Sequence, residues 1–456
     1  MAYLGNTPTT QSFISGTDYF NGTGSQTAFT LSRTVASIND IQVTVNNVVQ
    51  QPNDAYTISG TTLTMTSAPS SGTNNVYVRY LSTTTQAITP SQNTVSWNTL
   101  DSNVQGDLGI SFKNRIINGA MTFDQRNAGA SVTPTNGQYT LDRFAISIGG
   151  GETGKLSIQQ NAGSVTPPVG FTNYLGVTSL SAYTVPTANW FTLLHEIEGL
   201  NVGDLAWGTA NAKTITLSFW VRSSLTGTFG GALNNSGNSR NYPYSYTISA
   251  ANTWEYKTVT IAGDTTGTWL TNNGIGIQVG FALGAGTTES GTAGAWTATR
   301  AFSATGATSV VGTNGATFYI TGVQLEVGTQ ATTFTTAGGS YGTELQLCQR
   351  YYYRVNSTAD YNPYGHGWNS STSAGMAVIM HPVRMRVQPA SVDYATLSST
   401  VLGVTESTVS SISINTYYNG TYATGVSTSG SGFTTGFFTL TAKNSTSSYI
   451  GFSSEL

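Results

Sequence analysis

Residues 214–222 read Thr-Ile-Thr-Leu-Ser-Phe-Trp-Val-Arg. Ile215, Leu217, Phe219 and Val221 fall on one side of an extended chain, with Thr214, Thr216 and Ser218 on the other, the pattern of a half-buried strand. A helix would scatter the same residues around its circumference. The period of two recurs outward from this stretch in both directions. Ile41, Val43 and Val45 alternate with Gln42, Thr44 and Asn46, and Val48-Val49 follows across Asn46-Asn47, a pair suited to a hairpin turn. Tyr56 and Ile58 precede Ser59-Gly60, Leu63 and Met65 follow it, and Val76, Val78 and Tyr80 close the run. Downstream, Tyr256, Thr258 and Thr260 alternate with Lys257, Val259 and Ile261; then come Ile275, Ile277 and Val279, followed by Phe281 and Leu283. Phe318 and Ile320 pass into Val323, Leu325 and Val327 by an odd step at Gly322, which predicts a bulge or glycine kink. The chain reads as all-β.

The 456 residues divide by pattern. Residues 1–82 read as a small β domain of about six short strands. Residues 83–112 hold few large apolar side chains and read as a linker or shaft. Leu100, Val104, Leu108 and Ile110 do not sustain the heptads of a coiled coil. Residues 113–341 read as a β-sandwich of jelly-roll type. Within it, 284–316 is too long for a connector and predicts an excursion that folds back on the sandwich or against a neighbouring chain. Residues 342–456 read as a C-terminal β domain opened by a helix over Glu344–Tyr353. Strand patterns follow at Met376, Val378 and Met380, at Val383, Met385 and Val387, at Ile412 and Ile414, at Phe437, Phe438 and Leu440, and at Ile450 and Phe452.

Composition narrows function. Charged residues make up 8% of the chain against about 25% in ordinary soluble proteins, while threonine supplies 76 positions and glycine 52. Hydrophobic residues at 38% and the regular period argue against disorder. Seventeen basic residues against twenty acidic ones, without a basic cluster, exclude the footprint of a nucleic-acid binder. No apolar run reaches the 18 residues of a membrane span, and no basic-then-apolar leader opens the chain. Cys348 is the single cysteine, so it forms no internal disulfide and no cysteine-based zinc site.

No catalytic motif emerges. The sequence lacks a G-x-S-x-G elbow, a Walker loop, H-E-x-x-H and a dinucleotide fingerprint. His195-Glu196-Ile197-Glu198 superficially suggests a metal or acid–base pair. Strand alternation instead places His195 with Ile197 on one face and both glutamates on the other, as polar residues of a sheet face or rim. Glu196 with Glu198, and Asp124 with Asp142, are the carboxylate pairs a glycosidase would need. The expectation is a protein without enzymatic activity, cofactor or metal. Binding remains. An aromatic ring covers the apolar face of a pyranose while amides and hydroxyls meet its OH groups. Three clusters offer this chemistry: Tyr242, Tyr244 and Tyr246 on one strand face; Tyr361, Tyr364, His366 and Trp368 in what reads as a turn-rich loop over 360–369; and Tyr417, Tyr418 and Tyr422 around Asn419-Gly420.

Specific stretches resemble a bacteriophage tail-fibre, or receptor-binding, family. Lys113–Met121, Gln125-Arg126 and Tyr139–Phe144 are similar to the opening of a module common in such fibres. Thr214–Arg222 resembles its central strand, Gly322–Gly328 with Ala331, Thr332 and Phe334 its closing strand, and Leu347–Tyr352 the segment that follows. Tyr19–Leu31 with the strands after it resembles the virion-proximal domain of podovirus-type and marine phage fibres, and Met380–Arg386 resembles a segment seen after the same module. His195 stands where the module would have Gln. The resemblance implies an elongated homotrimer on the virion. Its N-terminal domain would dock on phage tail or adaptor proteins, its carbohydrate-binding-like jelly roll and C-terminal receptor-binding tip would meet host cell-surface polysaccharide, and no membrane insertion or nucleic acid is involved. Two other readings stay open: a head or tail fibre component without receptor binding, and a polysaccharide-degrading tailspike-like enzyme.

Overall fold

The computed structural model describes residues 16–81, 112–401, 406–443 and 446–456. The expected linker therefore lies outside the described residues, apart from Phe112. The chain forms two compact units, Met1–Thr99 and Leu100–Leu456.

The first unit contains β1 (Thr17–Gly22), β2 (Ala28–Thr30), β3 (Ile41–Val45), β4 (Val48–Val49), β5 (Tyr56–Ser59), β6 (Thr62–Met65) and β7 (Gly72–Tyr80). A four-stranded sheet, β1-β7-β3-β4, and a three-stranded sheet, β2-β6-β5, share a core in which Val43, Tyr56, Leu63, Val76 and Val78 are buried. Asn46 and Asn47 both take left-handed backbone (φ 49° and 64°), which the tight turn between β3 and β4 requires.

The second unit opens with a sandwich. Its strands are β8 (Tyr139–Leu141), β9 (Phe144–Ile148), β10 (Leu156–Gln160), β11 (Leu175–Ser179), β12 (Trp190–Glu198), β13 (Ile215–Ser223), β14 (Gly227–Asn234), β15 (Asn241–Ile248), β16 (Glu255–Ile261), β17 (Ile275–Ala285), β18 (Ser290–Gly291), β19 (Ser303–Ala304) and β20 (Thr317–Val327). A five-stranded sheet, β10-β11-β20-β13-β16, faces a six-stranded one, β15-β14-β17-β12-β9-β8. Ile215, Leu217, Phe219 and Val221 point into the core between them. The odd step at Gly322 is a true irregularity: Ser218 pairs with Gln324 but Trp220 with Thr321, and Gly322 sits at φ 62°. The segment over 284–316 folds back on the sandwich, stacking Phe302 on Trp190 at 4.5 Å and burying Val310 and Val311.

Next comes α1 (Tyr341–Gln349), the only α-helix among the described residues. It starts three residues before the expected helix because the Ser340 side chain accepts from the Thr343 N–H and caps it. It ends at Gln349 because residues from Tyr352 join a strand. The remaining strands are β21 (Tyr352–Asn356), β22 (Pro363–Asn369), β23 (Ala374–Met380), β24 (Ser391–Ala395), β25 (Leu397–Thr400), β26 (Ser407–Asn419), β27 (Ala423–Gly430), β28 (Gly436–Ala442) and β29 (Tyr449–Ser453). β21-β29-β24 make a small sheet, and β22-β23-β27-β26-β25-β28 close into a six-stranded barrel. The fold is thus mostly β, with one closed barrel where the sequence predicted only sandwiches. Gly365 and Gly367 permit the tight approach within the barrel. A Cβ there would stand 2.4 Å from the Val378 carbonyl oxygen and 1.9 Å from that of Met376.

Candidate functional site

The first tyrosine cluster is core. Tyr242, Tyr244 and Tyr246 do share one face of β15, but that face points inward, and Tyr244 is only 1% exposed. Its hydroxyl donates to the Gly280 carbonyl at 2.9 Å, and Gly231 opposite leaves room for its ring. These three residues are not available to a ligand.

The 360–369 segment is a barrel strand rather than a loop. A register shift between Pro363 and Gly365 turns Tyr364 into the barrel core while His366 and Trp368 face out. The outward residues line an open groove of about 570 Å³ between β22, β23, β25 and β28. Trp368 (46% exposed) meets Phe437 (80% exposed) edge-on, with ring centroids 4.9 Å apart. His366 Nδ1 lies 3.2 Å from the Thr439 hydroxyl. Met376 and Val378 supply the adjoining wall, and no Asp, Glu, Lys or Arg lines the groove.

Sequence reasoning missed Phe437, Met376 and Val378 as surface residues. Met376, Val378 and Met380 form an apolar face, but the face that packs inside is Ala377 and Ile379. Tyr361 is exposed in a turn at φ 60°. Tyr417, Tyr418 and Tyr422 are exposed around the β26–β27 turn, and none of these four tyrosines lines the groove. The arrangement suits a neutral ligand with one apolar and one hydroxylated side: ring planes for the first, His366 and Thr439 for the second.

The carboxylates and His195 sit elsewhere. Glu196 and Glu198 project from the outer face of the six-stranded sheet, which the sequence read as face or rim. Here Tyr139, Gln278, Arg350 and Tyr351 cover them, and both side chains are buried. Arg350 grips Glu198 through two contacts of 3.0 and 2.7 Å, and the Tyr351 hydroxyl donates to it at 2.7 Å. Glu196 accepts from Gln278 at 2.8 Å and Tyr139 at 3.1 Å; burial pushes its pKa up, with Gln278 and Arg143 pulling down. Arg143 is fully buried, pairs with Glu455, donates to the Glu196 carbonyl and lies 3.6 Å over the Tyr351 ring. Asp142 accepts from Gln125, and its burial lifts its pKa to about 6 against the pull of Arg126. Asp124 caps a turn through the N–H groups of Asn127 and Gly129. His195 stays neutral: burial first, then Arg143, drives its pKa well down, and its Nε2 lies 3.1 Å from the Ile117 carbonyl oxygen. Among the described residues no group of three or more His, Cys, Asp or Glu could hold a metal, and no helix is long and apolar enough to cross a membrane.

No protein-family model matches the chain, and no curated protein matches it. Solved structures match at low identity. The enzymatically active domain of bacteriophage CBA120 tailspike protein 4 is 10% identical over 47% of this chain, with a TM-score of 0.25, and the match spans 21% of that chain. A putative sugar-binding protein from Bacteroides thetaiotaomicron is 11% identical, covering 47% of this chain and all of its own, with a TM-score of 0.28. The family 11 carbohydrate-binding module of a Clostridium thermocellum cellulosomal cellulase is 13% identical, covering 45% and 99%, with a TM-score of 0.21. Scores this low transfer no property to the chain.

Proposed function

We propose that the chain is a structural protein of a phage virion, a homotrimeric tail fibre whose barrel groove holds host surface polysaccharide. The observation that carries this reading is the open, uncharged groove in which Trp368 and Phe437 present their rings beside His366 and Thr439. The tail-fibre-like stretches between Lys113 and Tyr352 support it, and the N-terminal unit is the part assigned to docking on tail or adaptor proteins. Weak single sites suit a trimer, because several engaging together gain about 10²–10⁴ in avidity.

The reading assigns no catalysis. Glu196, Glu198, Asp124 and Asp142 each serve a structural partner, and none lines the groove. The test is adsorption of the full chain to host cells and to isolated surface polysaccharide, with Trp368→Ala and Phe437→Ala as variants. Both should fold as the parent does and lose adsorption by about tenfold or more, since each removes an exposed ring with few packing partners. Unchanged adsorption in both variants refutes the groove. Release of new reducing ends from the polysaccharide refutes the absence of catalysis.

One observation favours a second reading. Val378, Met380 and Phe437 are large apolar residues exposed together on the barrel, and such faces also pack against neighbouring subunits. A trimer that binds no glycan, and that Phe437→Ala dissociates, would select this reading.

A further inference from the structure

The sandwich has its own aromatic groove, on the outer face of the five-stranded sheet. Trp220 of β13 and Tyr256 of β16 are cross-strand partners with ring centroids 5.3 Å apart and planes inclined by 48°. Their face continues along β16 to the exposed Thr258 and Thr260, while the opposing Ser218 and Thr216 are buried. Phe171 and Phe334 form the walls, meeting edge-on at 5.0 Å, and the groove encloses about 600 Å³. Gly322 makes this possible, because a Cβ there would stand 2.6 Å from the Phe171 ring.

The indole N–H groups discriminate between packing and binding. Trp190, Trp207, Trp254, Trp269 and Trp296 each donate to a protein acceptor. Trp220 and Trp368, which line the two grooves, make no such bond among the described residues. Nor is the Trp220 N–H a sealed, unsatisfied donor, since it is absent from the buried groups without partners. It is half-buried as a ring and open as a donor. No charged side chain lines the groove, and the nearby Lys113 and Glu326 neutralise each other at 3.3 Å.

We propose that this groove is a second saccharide site, which takes a neutral oligosaccharide by laying an apolar pyranose face on Trp220 and Tyr256. The ligand's hydroxyls meet the Trp220 N–H and the exposed hydroxyls of Thr333, on the groove wall, and Thr258, beside Tyr256. Inclined rings cannot lie together against a flat polymer surface, so the site holds one chain rather than a crystalline face. The inference shares only its ligand class with the barrel reading. Its residues are separate, so either can fail alone.

The test uses the full chain labelled with 5-fluorotryptophan and read by ¹⁹F NMR. Resonances are assigned through Trp220→Phe and Trp368→Phe. Cellotetraose, maltotetraose and xylotetraose are each titrated to about 10 mM, a range that captures millimolar affinity. At least one should move the Trp220 resonance saturably, in the parent and in Trp368→Ala alike. Tyr256→Ala should weaken that titration about tenfold, equivalent to about 1.4 kcal/mol, while an unshifted Trp368 resonance reports an intact fold. The proposal is overturned if no tetrasaccharide moves the Trp220 resonance, or if Tyr256→Ala leaves the titration unchanged. It is also overturned if dilution alone moves the resonance, which would place a second copy of the chain in the groove. Movement of Trp368 alone leaves the barrel reading standing and removes this one; movement of Trp220 alone does the reverse.

Discussion

Replacing Glu455 with Gln should loosen the second unit far more than a single surface ion pair would. Glu455 pairs with Arg143, whose side chain is 1% exposed, and reaches Arg126 at 3.3 Å. Removing the carboxylate leaves the Arg143 guanidinium buried between the sandwich and residues 449–456 with no anion in contact. Breaking one side of a buried pair typically costs about 3–5 kcal/mol, because the remaining charge cannot regain water. The two partners lie 312 positions apart in the chain. A contact of such long range forms late, so its loss should appear mainly as faster unfolding, by about two to four decades. The assay is unfolding in urea followed by tryptophan fluorescence, since every described tryptophan belongs to the second unit. Arg143→Met combined with Glu455→Leu should recover most of the loss, as apolar replacement of a whole buried pair often does. A Glu455→Gln effect below about 1 kcal/mol, the range of an exposed pair, would refute the reasoning.

Two further outcomes follow from particular residues. Gly322→Ala should destabilise the sandwich by about 1–3 kcal/mol, because it forces a side chain into left-handed backbone at φ 62° and into the Phe171 ring; a shift in urea midpoint checks this. Asp142 has a folded pKa of about 6 against an ordinary value of 3.8, so the folded state takes up its proton first as pH falls. Its charge therefore costs stability above pH 6, and that cost disappears by about pH 4. The stability of the parent relative to Asp142→Asn should rise by about 2 kcal/mol between pH 7 and pH 4, measured as paired urea midpoints. A flat difference across that range would show that Asp142 does not titrate there.

Short-range features were legible in the sequence. The β3–β4 hairpin follows from Val-Asn-Asn-Val, and the bulge at Gly322 follows from one odd step in an alternating run, because both are set by neighbouring residues. Which apolar face turns inward was not legible. Tyr242, Tyr244 and Tyr246 share a face in either case, and it is the pairing with β14, which sets Leu233 and Phe229 beside them in the sandwich interior, that makes the face core. For β23 the pattern pointed the wrong way, since barrel closure selects Ala377 and Ile379 and expels Met376 and Val378. Pro363–Asn369 read as a loop because its glycines suggested turns, whereas in the barrel they mark close strand approach. The buried role of Glu196 and Glu198 was hidden for another reason: their partners are distant in sequence, Arg350 lying 152 positions from Glu198, and Tyr139 and Gln278 lying 57 and 82 positions from Glu196.

The barrel also bears on how many copies can stand side by side. A closed ring of strands offers no unpaired N–H and C=O rim onto which another molecule could add a strand. The sandwich does end in open rims, but β15 carries Pro243, which lacks a donor, and β16 carries Glu255 and Lys257, which are costly to cover. A threonine-rich, weakly charged β protein would otherwise be prone to stick to itself by strand addition, and the closed barrel and these two rims oppose it.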